Sequence, residues 1–283
     1  MAGYETVARK YMTHDMIEKH TSLPDYPELR TRLFRAFLNQ GFRTSSGEAK
    51  GTEAIALAVS LAQLGLDTHE LVDGNGETRK RQMTVLAGDY FSSRFYQALS
   101  LTEDVRSISL ISQSICEVNR MKMNLYSSAK KLLITAEQYV REMVEVRSHL
   151  YLAFTSWMDE VCRKAWPALL RTVSECELIA AELGRDRPDN VKHSWAFWYV
   201  IQHGTNEEVQ GLVSGTLDAE RLAALWEKYE IRFQLSRMCD EKLEEMKKLI
   251  AACRSDGVPD ELLQLVEPLF QGARQRAKVL EEI

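Results

Sequence analysis

Asp67, His69, Glu70 and Asp73 fall within one short stretch, "LDTHELVDGNGETRKRQ", and the basic cluster Arg79-Lys80-Arg81 follows a loop containing Gly74 and Gly76. On a helix, His69 and Asp73 share a face one turn apart, with Glu70 beside them. The next run, "VLAGDYFSSRFYQAL", carries Asp89 four residues before Ser93 and five before Arg94. Two acidic helix segments facing each other can hold divalent cations, usually Mg²⁺, between them. Such cations neutralise a substrate diphosphate and help it leave. Arg79, Lys80 and Arg81 are candidates to hold phosphate oxygens. Spacing alone favours a plainer reading, a charged helix end beside a solvated loop, which is a common arrangement.

These side chains need helices to position them, and helical periodicity runs through the whole chain. Strand signals are nearly absent. The pattern predicts helices near 4–20, 27–40, 50–73, 79–100, 103–126, 129–150, 151–184, 189–203, 206–215, 218–253 and 259–281. Pro24 and Pro27 mark a helix start, where a missing N–H costs least. "DGNGET" (73–78), "GRDRPDN" (184–190) and "SDGVPDE" (255–261) are breaks rich in turn formers. Pro167 lies inside a strong helical pattern and predicts a kink or a junction. Between 218 and 253, Leu222, Leu225, Tyr229, Phe233, Leu243, Met246 and Ile250 form an apolar stripe. No repeat or flexible linker divides the sequence. The expectation is an all-α protein, a single-domain helical bundle spanning residues 1–283.

Composition narrows the function classes. The 283 residues are 45% hydrophobic and 27% charged, ordinary for a soluble globular chain with a sizeable core. The net charge of −5 gives no global field favouring nucleic acid or an anionic membrane. No apolar run approaches the roughly 18 residues of a membrane span, and the first twenty residues lack the apolar centre of a signal peptide. Five scattered cysteines, with no Cys-x-x-Cys pair, suggest free thiols in a reducing compartment. A cytoplasmic location is expected.

"VLAGDYFSSRFYQAL" resembles the helix that follows the first aspartate-rich motif in trans-prenyl diphosphate synthases, and "LGLDTHELVD" resembles the end of the helix before it. The phrases "LDTH" and "RQ-x-TVLAGDYFS" are similar to the smaller-subunit family of two-component heptaprenyl diphosphate synthases. The specific resemblance covers about residues 64–100. It places the family's Asp-Asp-x-x-Asp on His69, Glu70 and Asp73, so only the last aspartate survives. Histidine suits Mg²⁺ poorly, because hard cations prefer oxygen. The downstream aspartate-rich motif of active members has no counterpart, and Asp-Asp occurs nowhere in the chain.

The resemblance therefore implies an ancestral diphosphate site that has lost its metal ligands. It implies an isoprenoid-synthase fold, no catalytic residue and no cofactor in this chain. A separate catalytic subunit would carry the Mg²⁺ and form a heterodimer with it. The complex would extend farnesyl diphosphate with isopentenyl diphosphate for menaquinone biosynthesis, and this chain would contact the growing prenyl chain. Ala87, Gly88 and Asp89 carry the second-helix phrase, with Ala87 and Gly88 suited to close helix packing. Phe91, Phe95 and Leu99 are candidates for the partner interface, with core packing an equal alternative.

Trp195, Phe197, Trp198 and Tyr199 form an aromatic cluster that suits either a core or an apolar wall. His193 and His203 share no helical face, and Cys162 and Cys176 read as inert buried thiols. Two rival readings stay open: a helical interaction protein unrelated to prenyl transfer, and a stand-alone terpenoid enzyme using His69, Glu70 and Asp73.

Overall fold

The computed structural model describes residues 4–41, 49–72, 77–100, 105–184 and 194–267. The protein is all-α, and among the described residues no strand occurs. The helices are α1 (Tyr4–Met12), α2 (Asp15–His20), α3 (Glu28–Gly41), α4 (Ala49–Glu70), α5 (Thr78–Ser100) and α6 (Val105–Lys130). They continue as α7 (Ala136–Leu152), α8 (Glu160–Leu183), α9 (Trp195–His203), α10 (Asn206–Ser214), α11 (Ala219–Lys228), α12 (Ile231–Ser255) and α13 (Asp260–Leu263). The chain forms two compact units. One contains Met1–Val118, His149–Pro167 and Gly257–Leu265, and the other contains Asn119–Ser148, Ala168–Asp256 and Val266–Ile283.

The first unit is organised around α4. Its sequence "IALAVSLAQLGL" is apolar on every side, which marks a helix surrounded by others. Every residue from Ile55 to Leu66 is buried, including Ser60 and Gln63. Ser60 and the Gln63 amide nitrogen are tied in by hydrogen bonds, while the Gln63 side-chain oxygen is buried with no protein partner among the described residues. Ser60 Oγ donates to the Leu57 carbonyl and lies 2.6 Å from the Tyr26 hydroxyl. Burial pushes the Tyr26 phenol above its ordinary value. An aromatic nest completes this unit: Phe34 meets Tyr151 and Phe154 edge-on at 5.5 and 5.6 Å, and Phe37 lies 5.1 Å from Trp166.

The second unit is held by local caps and cross-helix pairs. Thr135 and Gln138 form a reciprocal cap that starts α7. Arg171 makes a bidentate ion pair with Glu145 at 2.6 and 3.1 Å, and Ser148 donates to Ser174 at 3.0 Å. Trp195, Phe197 and Trp198 are buried in this unit, so the aromatic cluster is core. His193 lies outside the described residues. Cys162 and Cys176 are buried, and burial raises the Cys176 thiol to about 12, as an inert thiol requires.

Several expected boundaries are corrected. The stretch 4–20 is two helices, separated at Thr13 and His14. Residues 153–159 lie outside any α-helix, with a short 3₁₀ turn at Thr155–Trp157. The helix that follows runs unbroken through Pro167, so the expected junction falls upstream of the proline. The stretch 218–253 is also two helices. Glu230, at φ 49°, interrupts it in the left-handed region. Phe233, placed on the apolar stripe, is 61% exposed, and the buried face of α12 runs instead through Ile231, Leu235 and Cys239.

Candidate functional site

Of the residues singled out for diphosphate chemistry, His69, Gly88 and Asp89 sit where α4 and α5 cross. The two helices run antiparallel, with Gly65 facing Ser92 and His69 facing Gly88. The approach is close because glycine stands on both sides. A Cβ on Gly65 would lie 3.0 Å from the Gly88 carbonyl oxygen and 3.1 Å from the Ser92 nitrogen, both backbone atoms. Leu64, Ala87, Phe91 and Ile17 form the buried cluster below the crossing, with Tyr90 packed at its edge. Sequence reasoning singled out Gly88 but not Gly65. The signal was available, since "LGLD" and "LAGD" each place a glycine within two residues of an aspartate on its helix.

His69 lies over Gly88. A Cβ there would stand 2.6 to 2.7 Å from three atoms of the imidazole, so the ring occupies the space the missing side chain leaves. Its Nε2 is 3.4 Å from Asp89 Oδ1. The imidazole and Asp89 thus bridge the two helices at the position where the family pattern would put a metal. Asp67 accepts a hydrogen bond from Gln63 Nε2 at 2.8 Å on its own helix. Glu70 is exposed at the end of α4. Asp73 lies outside the described residues.

Arg79, Lys80 and Arg81 occupy the first turn of α5, with Arg79 and Lys80 exposed and Arg81 half-buried. That turn contains no acidic residue. The positive end of the helix and the two exposed cations together favour an anion. Arg79 is ten residues from Asp89, roughly 15 Å along the axis, so the structure does not converge this cluster on the His69–Asp89 pair.

The described donor set does not fit a resident Mg²⁺. Octahedral Mg²⁺ calls for hard oxygen ligands. Here an imidazole takes the first ligand position and is already engaged by Asp89. Among the described residues, no group of three or more His, Cys, Asp or Glu side chains is placed to hold a metal.

The assignment of Phe91, Phe95 and Leu99 to a partner interface is corrected. All three are at most 2% exposed, as are Ala87 and Ala98. The stripe Thr84, Ala87, Gly88, Phe91, Phe95, Ala98 and Leu99 is the face α5 turns inward. An i, i+3, i+4 apolar stripe buries itself on the nearest apolar neighbour, here Leu64 of α4 and Ile17 of α2. The opposite face carries Leu86 at 58% exposure and Tyr96 at 48%. At its edge, the Arg94 guanidinium stacks on the Tyr90 ring, 4.4 Å from its centroid, and donates to the Tyr90 hydroxyl and to Gln97. His14, at the start of α2, meets the same ring edge-on at 5.6 Å.

A family model described as heptaprenyl diphosphate synthase (HEPPP synthase) subunit 1 matches residues 14–223. A protein of Geobacillus stearothermophilus named heptaprenyl diphosphate synthase component 1 is 36% identical over 87 residues, which is 30% of this chain and 38% of that protein. The chain thus matches less than half the length of that relative. Among solved structures, a polyprenyl synthase from Caulobacter crescentus, complexed with calcium and isoprenyl diphosphate, is similar with a TM-score of 0.71. It is 14% identical, with 96% of this chain and 93% of that one covered. A decaprenyl diphosphate synthase from Rhodobacter capsulatus has a TM-score of 0.68 at 15% identity, with 96% and 94% covered. At these identities the structural likeness concerns the fold alone.

Proposed function

This chain belongs to the heptaprenyl diphosphate synthase subunit 1 family, and from that premise we propose that it is the smaller, noncatalytic subunit of a two-component prenyl diphosphate synthase. The partner subunit supplies intact aspartate-rich motifs and the Mg²⁺ they hold. The complex extends farnesyl diphosphate with isopentenyl diphosphate to a long all-trans prenyl diphosphate, consumed in menaquinone biosynthesis. The chain works in the cytoplasm, completes the assembly and lends apolar surface to the lengthening hydrocarbon.

One observation carries this reading. His69 stands where the family pattern places an aspartate, and its ring is lodged over Gly88 and paired with Asp89. A side chain that closes the helix crossing in this way supports a structural role for a position that elsewhere serves metal chemistry. With Phe91, Phe95 and Leu99 buried, the partner surface on α5 is assigned instead to its outward residues, Leu86 and Tyr96.

The test is reconstitution. The isolated chain, given farnesyl diphosphate, isopentenyl diphosphate and Mg²⁺, is expected to form no elongated product. Addition of a catalytic subunit with intact motifs is expected to produce long-chain synthesis that neither subunit shows alone. Robust Mg²⁺-dependent elongation by the isolated chain overturns the proposal.

A further inference from the structure

The end of α6 and the turn after it present an unusual surface, contained within the second compact unit. Met123, Tyr126 and Lys130 recur at helical spacing, so they share one face. Met123 is 61% exposed and Tyr126 56%. The helix closes with a Schellman pair. The Leu133 N–H donates to the Ser128 carbonyl at 3.0 Å, and the Leu132 N–H to the Ala129 carbonyl at 2.9 Å. The left-handed residue of such a turn is usually glycine, but here it is Leu132, at φ 55°. A branched-chain residue held there is strained. Leu133, which would ordinarily cover the preceding turn, is instead 69% exposed, with Leu132 at 39%. The chain thus holds two leucines outward in a conformation that glycine would adopt without cost.

The charge of this corner is of one sign. Between Glu117 and Glu137 there is no acidic residue, while Arg120, Lys122, Lys130 and Lys131 are basic. Among the described residues, Lys130 and Lys131 form no ion pair. This local patch stands against the net charge of −5 of the whole chain.

We propose that this corner, with Tyr126, Leu132 and Leu133 as apolar anchors and Lys130 and Lys131 beside them, docks on an anionic lipid surface. The composition selects lipid over protein. Lysine is depleted at protein interfaces, but at a membrane its stem lies along the apolar layer while the ammonium reaches the headgroups. Tyrosine is enriched at the same depth, because one end of the ring is apolar and the other wet. Short aliphatic anchors plus a basic fringe are the two contributions that hold a peripheral protein on an anionic leaflet. The attachment is peripheral, since no described helix is long and apolar enough to cross a membrane. The inference is independent of the prenyl-synthase reading and survives or fails separately from it.

The experiment is co-sedimentation of the full-length chain with phosphatidylcholine vesicles, with and without phosphatidylglycerol. Binding is expected only when the anionic lipid is present, and is expected to weaken as salt is raised. Each lysine near an anionic surface contributes about 1 kcal/mol, so Lys130→Glu with Lys131→Glu lowers the partition coefficient at least about thirtyfold. Leu132→Ser with Leu133→Ser also lowers it. A charge-matched control in the first unit, Lys10→Glu with Lys19→Glu, leaves it within about twofold. All these residues are exposed, so the thermal midpoint verifies that each variant is folded. Absence of binding to anionic vesicles overturns the proposal, as does equal binding to neutral ones. Retained binding by the Lys130/Lys131 variant, or equal loss in the control, overturns it as well. Self-association that disappears in the leucine variant without any vesicle binding assigns the surface to a second copy of the chain instead.

Discussion

Gly88→Ala isolates the role of the α4–α5 crossing. A methyl group there would stand 2.6 Å from the His69 ring, so the ring must leave. The ring is the end of a partly exposed side chain and can swing outward, giving up its 3.4 Å contact with Asp89. An exposed pair of this kind is worth about 0.2–1 kcal/mol. Against that loss, alanine is favoured over glycine in a helix interior by about 0.8–1 kcal/mol. The single variant is therefore expected to lie within about 1 kcal/mol of the parent. In a His69→Ala background there is no ring to displace, and the same substitution is expected to stabilise by the full propensity term. The coupling between the two sites, measured as a double-mutant cycle in urea unfolding, is expected to equal the lost pair, about 0.2–1 kcal/mol. Gly65→Ala provides the contrast. Its methyl group meets backbone at 3.0 and 3.1 Å, which no rotamer relieves, so a net loss is expected in either background. Additive Gly88 and His69 effects, or a harmless Gly65→Ala, would refute the account of this crossing.

Phe91→Ala removes a fully buried ring from the Ile17–Leu64–Ala87 cluster and is expected to cost roughly 3–5 kcal/mol of folding stability, read from denaturant unfolding of the isolated chain. Partner affinity lost at an unchanged stability would return that residue to an interface. In the reconstituted complex, His69→Ala and Glu70→Ala are expected to change kcat by less than about tenfold, whereas a metal ligand acting in the transition state would cost orders of magnitude. Glu208 accepts hydrogen bonds from Lys228, from the Thr205 backbone and from Tyr229, which hold its carboxyl at about 2, against an ordinary 4.5. A depressed carboxylate contributes stability that is present above its unfolded value and lost as pH falls through the folded one. Thermal midpoints measured from pH 6 to pH 2 are expected to fall less in Glu208→Gln than in the parent, and parallel curves would contradict the assignment.

The sequence determined the class of this protein because helical periodicity is a local property that needs no partner to be visible. The resemblance at "LDTHELVD" and "LAGDYFSS", and the histidine where an aspartate was expected, were equally legible residue by residue. What periodicity leaves open is what covers each stripe. Phe91, Phe95 and Leu99 would look the same in a core as in an interface, and only their burial in the fold, with Leu64 of α4 packed beside Phe91, decided for the core. The pairing of Gly65 with Gly88 joins residues on two helices, so neither glycine alone reveals the close approach. The outward leucines after α6 show the same limit. The letters "KKLL" do not specify a backbone angle, and it is the left-handed turn at Leu132, closed by hydrogen bonds to the end of α6, that turns two ordinary apolar residues into exposed ones.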